Sequence, residues 1–141
     1  MKTFAKIIFL ILSAPLIAQT ANLVGDYQTE FALKDGNVFE YKMTLSQDGT
    51  FIFDYYTKII NGIPPEVYKY GKGKWSVENN VISFFSTKED LDEKYTLDFT
   101  NSKARFITKS PRDKTDRIIR SKIQFLKSEL FWMERIEMFK Q

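Results

Sequence analysis

Apolar and polar residues alternate with a period of two along almost the whole chain. Phe39, Tyr41, Met43 and Leu45 interleave with Glu40, Lys42, Thr44 and Ser46. Phe51, Phe53 and Tyr55 interleave with Thr50, Ile52 and Asp54, and Tyr95, Leu97 and Phe99 with Thr96, Asp98 and Thr100. Successive side chains of a strand point to opposite faces, so these rows predict half-buried antiparallel strands. Tyr27, Thr29, Phe31 and Leu33 predict a first strand, and Ile119, Ser121, Ile123 and Phe125 a late one. The joints Asp35-Gly36, Asp48-Gly49, Asn79-Asn80 and Asn101-Ser102 carry residues that tolerate the positive φ of tight hairpins. A later joint, Lys127-Ser128, separates "IQFL" from "LFWMERIEMF". Eight or nine strands are expected over residues 24–139, with a short helical turn near "STKEDLDEK".

Consecutive hairpins without helices allow a sandwich or an up-and-down barrel, and neighbour-to-neighbour connections favour the barrel. The expected fold is therefore an all-β, antiparallel up-and-down barrel in a single domain. Two connections are longer, "KIINGIPPEV" over residues 58–67 and "SPRDKTDR" over residues 110–117. In "GKGKWSVENN", Gly71 and Gly73 sit inside a predicted strand, where glycine permits a bulge, a bend or close backbone approach. Trp75 is expected to turn inward and fill the space that such a bend opens.

The start of the chain changes this picture. Lys2 and Lys6 precede an apolar run over residues 7–18, which is broken by Pro15. A membrane span needs about 20 apolar residues, so the run reads as a secretory leader over residues 1–18, cut before Gln19. No cysteine follows it, so no lipid or membrane anchor is expected, and the protein is expected to be periplasmic or secreted. The barrel domain is then residues 19–141, and losing Lys2 and Lys6 lowers the formal charge from +3 to +1. Such a balance argues against nucleic acid as a partner, since counterion release needs a surplus of Lys and Arg. The chain has no cysteine and no histidine. Disulfides, the usual zinc sites, and Ser-His or Cys-His nucleophiles are thereby removed, and a non-enzymatic protein without cofactor or metal is expected.

Several stretches resemble the small exported lipocalin-like proteins of bacteria, within the wider calycin group of barrels. "LVGDY" resembles their opening motif of glycine before a first-strand aromatic, and "LSQDGTFIF" the second hairpin. "GKWSVENNVISF" is similar to the mid-chain Gly-x-Trp hairpin, and "IQFLKSELFWMER" to the closing one. The resemblance implies a lipocalin-like barrel with an apolar pocket. It also implies a late arginine, Arg120 or Arg135, packed across the first-strand aromatic, here Tyr27.

The candidate binding residues form two groups. Tyr41, Phe53, Tyr55, Trp75, Phe84 and Tyr95, with Phe106 and Trp132, are expected on the inward face, lining a cavity or packing it solid. Ile60 and Ile63, followed by Tyr68 and Tyr70, form an apolar, proline-stiffened segment expected at the barrel mouth. Two functions follow. One is a binding protein for a small hydrophobic or amphipathic molecule held in or at the mouth of the barrel. The other is a solid barrel that engages a protein partner, as an inhibitor or envelope-assembly factor, through residues 59–70. The basic clusters at Lys69, Lys72 and Lys74 and over residues 109–122 read as solvated surface. "KEDLDEK" lacks the spacing of a calcium loop.

Overall fold

The computed structural model describes residues 22–141, so the expected leader and its cleavage point lie outside the described residues. The strands are β1 (Gly25–Ala32), β2 (Val38–Leu45), β3 (Thr50–Lys58), β4 (Glu66–Glu78), β5 (Val81–Phe85), β6 (Tyr95–Leu97), β7 (Ser102–Ile107), β8 (Lys122–Lys127) and β9 (Glu137–Lys140). β1, β2, β3, β4, β5, β7, β8 and β9 pair antiparallel in that order, and β9 returns to β1, so eight strands close into a barrel. The alternating rows decide which side faces inward. Tyr41, Met43 and Leu45 on β2, and Phe51 and Phe53 on β3, are buried. The intervening Lys42, Thr44, Ile52 and Asp54 are exposed. The expected all-β barrel is the fold observed.

The Asp-Gly and Asn-Asn joints make the hairpin turns. Gly36, Gly49, Asn79 and Asn80 all have positive φ there. Asp48 accepts hydrogen bonds from the Thr50 hydroxyl at 2.6 Å and the Thr50 N–H at 2.9 Å, which hold its carboxyl below the usual carboxylate range.

Three expectations change in detail. Tyr95, Leu97 and Phe99 do not form one arm of a hairpin with β7. Only Tyr95–Leu97 is a strand, and it adds to β4 in parallel, with a register shift between Tyr70 and Gly71. The chain over residues 86–101 runs along the edge of β4 beyond the end of β5, puts Leu97 and Phe99 into the core, and returns to the free edge of β5, where Ser102 pairs with Phe84. Side chains pin this excursion: the Ser86 hydroxyl donates to the Lys72 carbonyl, and the Thr100 hydroxyl to the Ser86 carbonyl, both at 2.9 Å. Second, β8 begins at Lys122, and Ile118, just ahead of the expected late strand, stands 93% exposed on the preceding loop. Third, "LFWMERIEMF" is not one strand. A 3-10 turn at Phe131–Met133 precedes the four residues of β9. The arginine expected across Tyr27 is not seen there: Arg120 lies over Phe139, 4.8 Å from its ring centre, and Arg135 is exposed.

Gly71 and Gly73 give close approach. A Cβ on Gly71 would stand 2.6 Å from Cε2 of Phe99, and one on Gly73 would overlap the Phe85 backbone carbonyl. Trp75 does turn inward. Its indole N–H donates to the Ser46 carbonyl at 3.0 Å and its backbone N–H to the Gly49 carbonyl at 2.8 Å, tying β4 to the β2–β3 turn.

These contacts set an order of tolerance. Gly71→Ala should cost about 1–3 kcal/mol of stability through overpacking against the buried Phe99 ring. Gly73→Ala should cost more, because a strand backbone must move. Urea unfolding of both variants tests the order; equal and negligible losses would remove the close-approach reading.

Candidate functional site

The inward aromatic residues touch one another along the barrel axis. Phe84 stacks on Phe125 with ring centres 5.4 Å apart, and Phe51 meets Phe84 edge-on at 5.1 Å. Phe53 contacts Phe99 at 5.0 Å, Trp132 packs on Tyr55 at 4.6 Å, and Tyr41 on Tyr55 at 5.1 Å. Each aromatic side chain buries about 150–250 Å² and prefers such tilted geometries, so the column is a packed core. Of the predicted site residues, Tyr41, Phe53, Tyr55 and Phe84 belong to this column. Phe106 is buried in the same core, and Trp75 closes the end nearest the β2–β3 turn. Trp132 comes from the 3-10 turn between β8 and β9 and caps the opposite end, over Tyr41 and Tyr55. Among the described residues, no buried side-chain nitrogen or oxygen is left without a partner.

Burial, and then the neighbouring Tyr55 hydroxyl, pushes the Tyr41 phenol up to about 12. Burial raises Tyr27 in the same direction, and its hydroxyl donates to the Leu23 carbonyl at 2.6 Å.

Ile60 and Ile63 sit on the connection between β3 and β4, at the rim shared by the β1–β2 turn and the β8–β9 connection. The Ile60 N–H donates to the Asn37 side-chain oxygen at 2.8 Å, which fastens this loop to the β1–β2 turn. Ile63 is wholly exposed and Ile60 46% exposed, and Phe31, Leu33 and Phe131 at the same rim are exposed as well.

Tyr68, Tyr70 and Tyr95 stand apart from both the lumen and the rim. With Gly71, Gly73 and Trp75 inward, alternation turns Tyr68 and Tyr70 to the outer face. The register shift between β4 and β6 sets Tyr95 beside Tyr70, ring centres 6.1 Å apart. There a shallow groove of about 330 Å³ runs over β2, β3 and β4, with Glu40, Lys42, Asp54, Tyr56 and Tyr68 among its lining. The Lys42 ammonium lies 2.6 Å from Glu40, and that hydrogen bond raises the lysine above its ordinary range. A second hollow of about 270 Å³ adjoins across Lys42 and Asp54 and reaches Asp26 and Thr44.

Glu40, Lys42, Asp54 and Tyr56 were not among the sequence candidates, because a polar outer row looks the same whether it lines a groove or only meets solvent. The available signal was parity: "DYYTK" sends one tyrosine inward and the next outward, opposite Tyr68. Among the described residues, no group of three or more acidic residues is placed to hold a metal ion. Comparison with family models, curated proteins and solved structures finds no match for this chain.

The raised phenols carry a pH signature. Above pH 10 the unfolded chain releases phenolic protons that the folded chain still holds, so the unfolded state gains. This part of the stability is complete below pH 10 and is lost as pH rises toward about 12 for Tyr41. Urea midpoints measured across that range should fall steadily, and Tyr41→Phe should flatten the fall; a variant with an unchanged slope would contradict it.

Proposed function

We propose that this protein is an exported, non-enzymatic interaction module, a solid barrel that captures a partner protein through its apolar rim. The observation that carries this reading is the exposure of Ile63, at 101%, with Ile60, Leu33 and Phe131 on three connections at the same end of the barrel and Phe31 near the end of β1. Scattered exposed apolar residues are ordinary, whereas a cluster gathered at one end of a fold marks an interaction surface. The ring-packed lumen supports the same reading, because it leaves recognition to the outside. Export rests on the leader-like residues 2–18. The closed antiparallel barrel is a calycin-like architecture, and kinship with lipocalin-like proteins is part of this proposal.

A second reading has its own observation. Trp132 hangs from an irregular connection and covers Tyr41, Tyr55 and Phe53. Withdrawal of that connection would open a ring-walled mouth for a small hydrophobic or amphipathic molecule.

A photo-crosslinking residue at position 131, in the producing cells, separates the two. A discrete protein adduct that disappears with Ile60→Ser plus Ile63→Ser, at unchanged Tm, is expected. An adduct indifferent to those changes would refute the rim. A small molecule retained in native mass spectra, and lost with Trp132→Ala, would favour the second reading.

A further inference from the structure

The outer groove lies on the side wall of the barrel and is independent of partner capture at the rim. Its platform is the cross-strand pair Tyr56 and Tyr68, ring centres 4.9 Å apart and tilted by 39°. Tyr68 is 57% exposed, so a ring face meets solvent. The platform is held before any ligand arrives. The Tyr56 hydroxyl donates to Glu66 at 2.7 Å, and the Lys94 ammonium lies 4.8 Å from the centre of the Tyr70 ring. Beside the rings, Glu40 and Asp54 offer carboxylate oxygens that only accept, and Lys42 offers ammonium hydrogens that only donate.

This lining decides the ligand class. An anion would meet two carboxylates against one ammonium. A cation would meet Lys42 within the groove, and lysines already occupy the neighbouring rings, Lys94 over Tyr70 and Lys72 over Tyr95. A neutral ligand with adjacent hydroxyls satisfies acceptors and donor together, because each hydroxyl both donates and accepts. The C–H face of a sugar ring supplies the apolar surface that an exposed tyrosine accepts. We infer that the groove is a binding site for a neutral saccharide, with a sugar ring stacked on Tyr68 and its hydroxyls bridging Asp54, Glu40 and Lys42. The volume of about 330 Å³ suits a short saccharide, at the small end of the about 300–1,000 Å³ usual for ligand sites. The adjoining hollow toward Asp26 and Thr44 gives a second unit somewhere to lie.

Titration of the isotope-labelled protein with neutral cello-, malto- and N-acetylated chito-oligosaccharides, followed by amide shifts, tests this. At least one series should move the amides of Lys42, Asp54 and Tyr70. Tyr68→Ala should weaken that binding roughly tenfold, about one aromatic contact. Asp54→Asn should weaken it too at the parental Tm, while Tyr68→Ala, which also loses the ring contact with Tyr56, should keep the parental amide pattern away from the groove. Choline and a sulfated sugar serve as charged probes. The inference is overturned if no neutral series moves these amides, if a charged probe binds the groove instead, or if Tyr68→Ala binds as tightly as the parent.

Discussion

The Phe99 ring rests on strand β4 where Gly71 leaves the wall bare, and much of the barrel is arranged around that contact. Its ring centre lies 5.0 Å from Phe53, 5.2 Å from Phe51, 6.2 Å from Phe84 and 6.4 Å from Phe125. Phe99 thus joins rings from β3, β5 and β8, although it belongs to no strand itself. Two residues further along, Gly73 lets the Phe85 carbonyl come against the same strand. Two consecutive inward positions without side chains allow the wall and the core to share space that any larger residue would fill. In a chain without cysteine, no disulfide supplements this packing.

Interiors at crystal-like density resist a guest unless something is displaced. Two rings of the column are borne by irregular connections, Phe99 between β6 and β7 and Trp132 on the turn between β8 and β9. Elsewhere the inner rings and the outer groove are two faces of the same strands. Tyr55 packs inward on Trp132 while its neighbour Tyr56 pairs outward with Tyr68. A one-residue slip of β3 or β4 would exchange those faces, so the core also holds the groove in shape. The exposed Lys42–Glu40 ion pair contributes little to stability, and its effect is to set the polarity of the groove.

The rim follows different physics. Apart from Phe31 near the end of β1, its exposed residues sit on connections whose ends the barrel fixes. The hydrogen bond from Ile60 to Asn37, with the Ile60 side chain lying near Gly36, links the β3–β4 loop to the β1–β2 turn. A rigid cylinder carrying an apolar, lightly tethered rim can dock a partner without reorganising its own core.

Local chemistry determined much of this protein. Alternation announced strands and turn residues announced hairpins, because side-chain parity and positive φ are properties of a few adjacent residues. The inward Tyr41, Phe53, Trp75 and Phe84, and the exposed Ile60 and Ile63, were legible in the same way. Tertiary structure alone decided the rest. The parallel docking of Tyr95–Leu97 depends on a β4 edge left unpaired by the short β5, and so on contacts distant in sequence. The turn that lowers Trp132 onto Tyr41 and Tyr55 reaches them only because β9 closes the barrel against β1. The gathering of Glu40, Lys42, Asp54, Tyr56 and Tyr68 into one groove depends on the relative register of three strands, which no single stretch of sequence encodes.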